Sequence, residues 1–182
     1  MTVQTNKPKS TFIHIPKTGG TSVSQWLINN CNGKWRFQST HGGKHATMGK
    51  IEKLIPDQEL GMVFTCVRNP WDRLVSGFHY YRKRNKLQNK TFEDWIRGKN
   101  WYSLTTPQAH FFTDDQVKYV LRTETLSKDF QVIQEFFQCY KKVGKTNASK
   151  HKPYQEYYTP ELVDIVAERH KADIDYFGYK FD

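Results

Sequence analysis

Thr11-Phe12-Ile13-His14-Ile15-Pro16-Lys17-Thr18-Gly19-Gly20-Thr21-Ser22 is the stretch on which the fold turns. Thr11 to Ile15 is β-branched and apolar and reads as a short strand. The glycine pair then turns the chain, and Thr21 to Asn30 reads as a helix with Val23, Trp26 and Leu27 on one face. A strand that passes through a glycine turn into a helix opens an α/β unit. It is also an anion site in outline. Glycines let the backbone approach a phosphate, and a helix N-terminus presents N–H groups to negative charge. Lys17 adds a mobile positive charge, and Thr21 and Ser22 add hydroxyls. The loop lacks the order of a Walker A motif, because its lysine precedes the glycines. Taken alone, a Gly-Gly turn is equally a plain strand-to-helix connection with a threonine cap.

Working outward, Gly61-Met-Val-Phe-Thr-Cys-Val67 is a near-continuous apolar run, as expected of a buried parallel strand. It ends at Arg68. Asn69 can cap, Pro70 suits the first helical position, and a helix is expected to about Arg84. Trp71, Leu74, Val75 and Phe78 recur in it at helical spacing. Gly33 to His45 reads as a loop, and Thr47 to Leu54 as a short helix that stops before Pro56. Further helices are expected at Thr91 to Gly98, Ser127 to Phe137 and Pro160 to Lys171, with a strand at Gln116 to Leu121. Strands alternating with helices indicate an α/β fold with a central, mostly parallel sheet flanked by helices. No repeat or linker interrupts the chain, so residues 1–182 are expected to form one domain, with 1–10 a flexible N-terminus.

The chain has 182 residues, enough for one substantial core. Its 37% hydrophobic and 15% aromatic content is that of a globular chain rather than a disordered one. Basic residues outnumber acidic ones 28 to 18, a net charge of +10, which predicts an anionic partner: nucleotide, nucleic acid, acidic glycan or membrane surface. Cys31, Cys66 and Cys139 form neither a C-x-x-C pattern nor an even set, so reduced thiols are expected. Met1 to Ser10 is too polar for a signal peptide, and no run approaches a membrane span. A cytoplasmic, soluble protein with no metal cluster is the expectation.

The second anion motif is Arg68-Asn69-Pro70-Trp71-Asp72-Arg73-Leu74-Val75-Ser76. Arg68 would project from the C-terminal edge of a strand, where open α/β sheets bind ligands. Ser76, about two turns into the next helix, could offer a hydroxyl from the wall. A guanidinium with a hydroxyl makes a phosphate clamp. Singly, Arg68 is as easily an ion-pair partner and Ser76 a surface helix residue.

Lys-Thr-Gly-Gly-Thr-Ser followed by Arg-Asn-Pro-x-x-Arg-x-x-Ser resembles the sulfotransferases that use 3'-phosphoadenosine 5'-phosphosulfate (PAPS). The resemblance is closest to the carbohydrate branch that contains heparan sulfate 2-O-sulfotransferase. It implies a P-loop-like fold in which Lys17, Thr18, Gly19, Gly20, Thr21 and Ser22 hold the 5'-phosphosulfate and Arg68 and Ser76 the 3'-phosphate. Lys44 to Thr47, Val120 to Glu124 with Asp129-Phe130, Asn147 to Tyr158 and Asp175 to Tyr179 also look like family segments, and so the resemblance spans roughly Phe12 to Tyr179. Within them Ser149 and Lys150 are candidates for closing over the 3'-phosphate.

Sulfuryl transfer needs a base for the acceptor hydroxyl and positive charge on the departing oxygen. Lys17 suits the second role. For the first, histidine suits neutral pH, and the chain has seven. Residue chemistry does not separate His45 from His41; the resemblance favours His45. His14, inside a strand, is expected to pack or order the loop, and His79 to be structural. Glu124 is expected to support the donor site. The implied partner is a hydroxyl-bearing acceptor, a glycan or small metabolite, with Trp95, Trp101 and Tyr102 as candidate sugar-facing aromatics. Two other classes compete. A P-loop kinase would need magnesium ligands and a lysine within the glycine run. A nucleic-acid module would use Arg82, Lys83, Arg84, Lys86, Lys141 and Lys142, but no nucleic-acid signature accompanies them.

Overall fold

A computed structural model describes residues 2–36, 45–87, 89–98, 100–144 and 151–182. Strands β1 (Thr2–Asn6) and β2 (Lys9–Ile13) lead into helix α1 (Gly20–Cys31). Strand β3 (Lys34–Arg36), the short helices α2 (Met48–Ile51) and α3 (Asp57–Leu60), and strand β4 (Met62–Val67) follow. Next come α4 (Pro70–Lys83), α5 (Phe92–Arg97), β5 (Tyr119–Arg122), α6 (Leu126–Asp129) and α7 (Gln131–Phe137). Helices α8 (Pro160–Arg169) and α9 (Lys171–Phe177) close the chain. Contacts divide it into two compact units: Met1–Val67 with His110–Asn147, and Arg68–Ala109 with Ala148–Asp182.

The first unit carries a five-stranded sheet of order β3-β1-β2-β4-β5. β2, β4 and β5 are parallel neighbours, while β1 runs antiparallel to both β2 and β3. Four of the five strands therefore point the same way, as the alternating sequence pattern predicts. All six residues of β4 are buried, the reason its sequence is an apolar run rather than an alternating one. Phe12, Phe64, Cys66 and Leu121 from the sheet pack with Val23, Trp26 and Leu27 of α1 and with Phe130 and Ile133.

Residues 1–10 are expected to be a flexible start, but Thr2 to Asn6 form β1, and Lys9 and Ser10 already belong to β2. Their polar appearance misleads because β-branched Thr2, Val3 and Thr5 are strand formers, and a threonine hydroxyl such as that of Thr5 can pair across a hairpin. Thr5 Oγ1 lies 2.9 Å from Ser10 Oγ, Gln4 Nε2 donates to Thr11 Oγ1 at 3.2 Å, and Val3 is buried in the core. The segment expected as one loop from Gly33 likewise begins with β3, which pairs with β1.

The second unit is helical. Asn69 caps α4 as expected, its side chain accepting from Trp71 N at 3.0 Å, with Pro70 in the first turn. Trp71, Leu74, Val75 and Phe78 are all buried, on the stripe the spacing predicts. Trp71 Nε1 donates to Val163 O of α8, and Phe78 lies edge-on to Phe92 of α5. Beneath them is a fully buried polar group: Arg73, Gln108, His170 and Asp173 each have no solvent exposure.

Burial holds the His170 imidazole below its ordinary range; Arg73 and Arg169 act the same way and Asp173 against them. Such a histidine takes up its proton more readily in the unfolded chain than in the folded one. Stability is therefore full above about pH 6.5, the ordinary histidine value, and falls as the pH drops below it. His79, lowered chiefly by burial, adds in the same direction. The urea midpoint is expected to fall between about pH 7.5 and pH 5.5, and to fall less in His170→Gln. An undiminished fall in that variant would remove His170 from the effect.

Candidate active site

In the first unit, the loop after β2 lies at the sheet edge where β2, β4 and β5 end, with Val67 beside Arg122. Lys17 and Gly19 both take left-handed backbone angles, with φ of 66° and 77°. Glycine accepts that conformation freely; at Lys17 it is strain, which folded chains tend to hold at functional sites. α1 then starts with no side-chain cap and no acidic residue in its first turn. The positive end of its dipole faces the loop without an internal counter-charge, as an anion site requires.

The loop is braced from three sides. Thr18 is buried and its hydroxyl donates to Ile15 O at 3.0 Å, so this side chain ties the loop to itself. Thr123, just past β5, places its hydroxyl 2.8 Å from Thr18 O and 2.9 Å from Val67 O, sharing one proton between two carbonyls. Sequence reasoning missed Thr123, although its position at the end of a parallel strand is a signal of such a role. On the third side the His14 ring fills the space over Gly20, where a Cβ would stand 2.3 Å from His14 Cδ2. Gly20→Ala must push that buried ring aside. We expect a loss of about 1–3 kcal/mol by denaturant unfolding. Gly49→Ala, whose Cβ meets nothing within 4 Å, serves as control and should not destabilise; equal behaviour of the two would refute the packing argument.

His45 belongs to the same unit. Its Nδ1 lies 2.7 Å from His14 O, and the two imidazoles meet edge to face at 88° with centroids 4.9 Å apart. A carbonyl can only accept, so Nδ1 carries the proton and Nε2 the lone pair. His14 thus orders both Gly20 and His45. His41, Ser149 and Lys150 lie outside the described residues.

In the second unit, Arg68 follows β4 directly. Its Nε donates to Asp72 Oδ2 at 2.7 Å, which orients the guanidinium through one edge. Ser76 is buried in the second turn of α4. His79 Nε2 lies 2.9 Å from Tyr157 OH and its ring stacks on His151, the structural setting expected for it. Of the candidate sugar-facing aromatics, Trp95 and Trp101 are buried and only Tyr102 is exposed.

A parallel sheet edge carrying a lysine-and-glycine loop at a helix start is an arrangement at which α/β proteins commonly hold anions. A family model described as the sulfotransferase family matches residues 2–180, and the chain belongs to that family. An uncharacterized protein from Archaeoglobus fulgidus is 28% identical over 85 residues, covering 46% of this chain and 68% of that one. Among solved structures, a sulfotransferase from Alicyclobacillus acidocaldarius matches at 16% identity and a TM-score of 0.42, over 73% of this chain. The match spans 60% of that chain's own length. Mouse sulfotransferase SULT7A1, in complex with PAP, matches at 18% identity and a TM-score of 0.46, over 92% of this chain and 87% of that one. Among the described residues no helix is long and apolar enough to cross a membrane.

Proposed function

We propose that the protein transfers a sulfuryl group from PAPS to a hydroxyl, most fittingly one on a carbohydrate, by in-line displacement. The observation that carries this reading is the loop at the start of α1, with left-handed Lys17 and Gly19 and an uncapped helix N-terminus. That backbone offers N–H groups and a lysine to an anion, and so it fits the phosphosulfate end of the donor. When bound, PAPS supplies a sulfuryl group already activated by its link to phosphate. Lys17 to Ser22 hold that end, and Arg68 and Ser76 hold the 3'-phosphate. Lys17 Nζ offsets negative charge gathering on the departing oxygen. His45 Nε2 accepts the proton of the acceptor hydroxyl. The net charge of +10 suits an anionic donor and an acidic glycan acceptor alike.

The test begins with adenosine 3',5'-bisphosphate (PAP), the donor product. PAP should raise the melting temperature, and ATP with magnesium should not; stabilisation by ATP–magnesium alone would transfer the chain to the kinase class. Labelled PAPS with a panel of glycans, phenols and small alcohols then identifies the acceptor.

A further inference from the structure

We propose that Gln108 is the positioning residue for Arg68, fixing the backbone from which the 3'-phosphate arginine projects. The inference rests on the donor reading above. Arg68 lies beyond the end of β4, outside the sheet's hydrogen-bond ladder. Gln108 supplies there what a neighbouring strand would. Its Oε1 accepts from Arg68 N at 2.9 Å, and its Nε2 donates to Arg68 O at 2.8 Å. The second Nε2 proton goes to Asp173 Oδ2 at 3.0 Å. Asp173 Oδ1 in turn accepts from Ala109 N at 2.8 Å, which anchors the residue after the glutamine. Every donor on the Gln108 amide is used, and a flipped amide would set its NH2 against the Arg68 N–H. Gln108 and Asp173 are both fully buried, where such bonds are least exposed to competition from water.

Arg68 is therefore held at both ends: its backbone by Gln108 and its guanidinium by Asp72. A buried, doubly hydrogen-bonded glutamine on the backbone of one residue is a costly device for stability alone. It is well suited to setting the direction of a side chain that must meet a phosphate without reorganising.

The experiment compares PAP with AMP, which differ only by the 3'-phosphate, in calorimetric titrations of wild type and Gln108→Met. The ratio of AMP to PAP dissociation constants should fall about tenfold in the variant, with AMP affinity little changed. A general structural role would lower the melting temperature without moving that ratio, and a wild-type ratio overturns the proposal. Wild-type protein that binds PAP no better than AMP instead overturns the donor reading itself. If Gln108→Met does not fold, Gln108→Glu decides. Its protonated carboxyl keeps the acceptor for Arg68 N and one proton that Arg68 O and Asp173 Oδ2 must share, so the ratio should lie nearest wild type in acid and fall as the carboxyl ionises. A ratio equal to wild type at every pH overturns the proposal. So does loss of folding in both variants, which would assign Gln108 to folding alone.

Discussion

Replacing His45 by alanine is expected to lower sulfuryl transfer by about 10²–10⁴-fold, the usual worth of a positioned acid or base, while PAP still raises the melting temperature. The expectation follows from the tautomer. His45 Nδ1 is committed to His14 O at 2.7 Å, which leaves Nε2 as the basic nitrogen. When Nε2 takes a proton, the bond from Nδ1 becomes charge-assisted, and the same carbonyl that orients the ring steadies the imidazolium. His45→Asn separates the two roles. Its amide nitrogen stands close to where Nδ1 stood and can keep the bond to His14 O, but it offers no base. Equal losses in His45→Ala and His45→Asn mark proton transfer as the role. Near wild-type turnover in His45→Asn would leave His45 only an orienting part, and turnover unchanged in both would remove it from the reaction.

The parts of the molecule legible in the sequence are those whose causes are local. β4 reads from a run of apolar residues because it is buried on both faces, and α4 reads from Asn69-Pro70 because cap and proline act on their own backbone. The loop from Lys17 to Ser22 reads for the same reason: its glycines, lysine and hydroxyls sit together in the chain. β1 was hidden because its stabilisation is non-local, its polar side chains finding partners only once β2 and β3 lie beside it. The helix expected from Ser127 to Phe137 divides into α6 and α7, and the one from Pro160 to Lys171 ends at Arg169 before α9 begins. In each case the apolar spacing continues across the break, so periodicity alone could not place it. Thr123, Gln108 and Asp173 were invisible for a stronger reason. Thr123 serves Thr18, and Gln108 joins Arg68 to Asp173, across 105, 40 and 65 positions respectively. No pattern within a window of sequence carries such pairings.

Asp173→Ala is expected to destabilise the protein by about 3–5 kcal/mol in urea unfolding, the range for removing one partner of a buried ion pair. Asp173 lies 4.0 Å from the Arg73 guanidinium, and both side chains are fully buried. Burial pushes the Arg73 guanidinium down to about 10, with Asp173 opposing that push. Burial likewise raises the Asp173 carboxyl, but His170, Gln108, the Ala109 amide and Arg73 together bring it below its ordinary value. Its stabilisation is therefore present above the ordinary carboxylate range and lost only as pH falls through the depressed value. At 4.0 Å the direct pair is long, so the hydrogen bonds from Gln108 and Ala109 should carry a large share of the effect. The double variant Arg73→Met with Asp173→Leu distinguishes the two contributions. It removes both charges and fills the space with apolar atoms, but leaves Gln108 Nε2 and Ala109 N without their acceptor. If counter-charge dominates, the double variant should recover most of the stability lost in Asp173→Ala. If the hydrogen bonds dominate, it should recover little, because an unmade buried bond costs about 1–3 kcal/mol for each group left behind. The long Arg73–Asp173 separation favours the second outcome, and near-complete recovery would refute it.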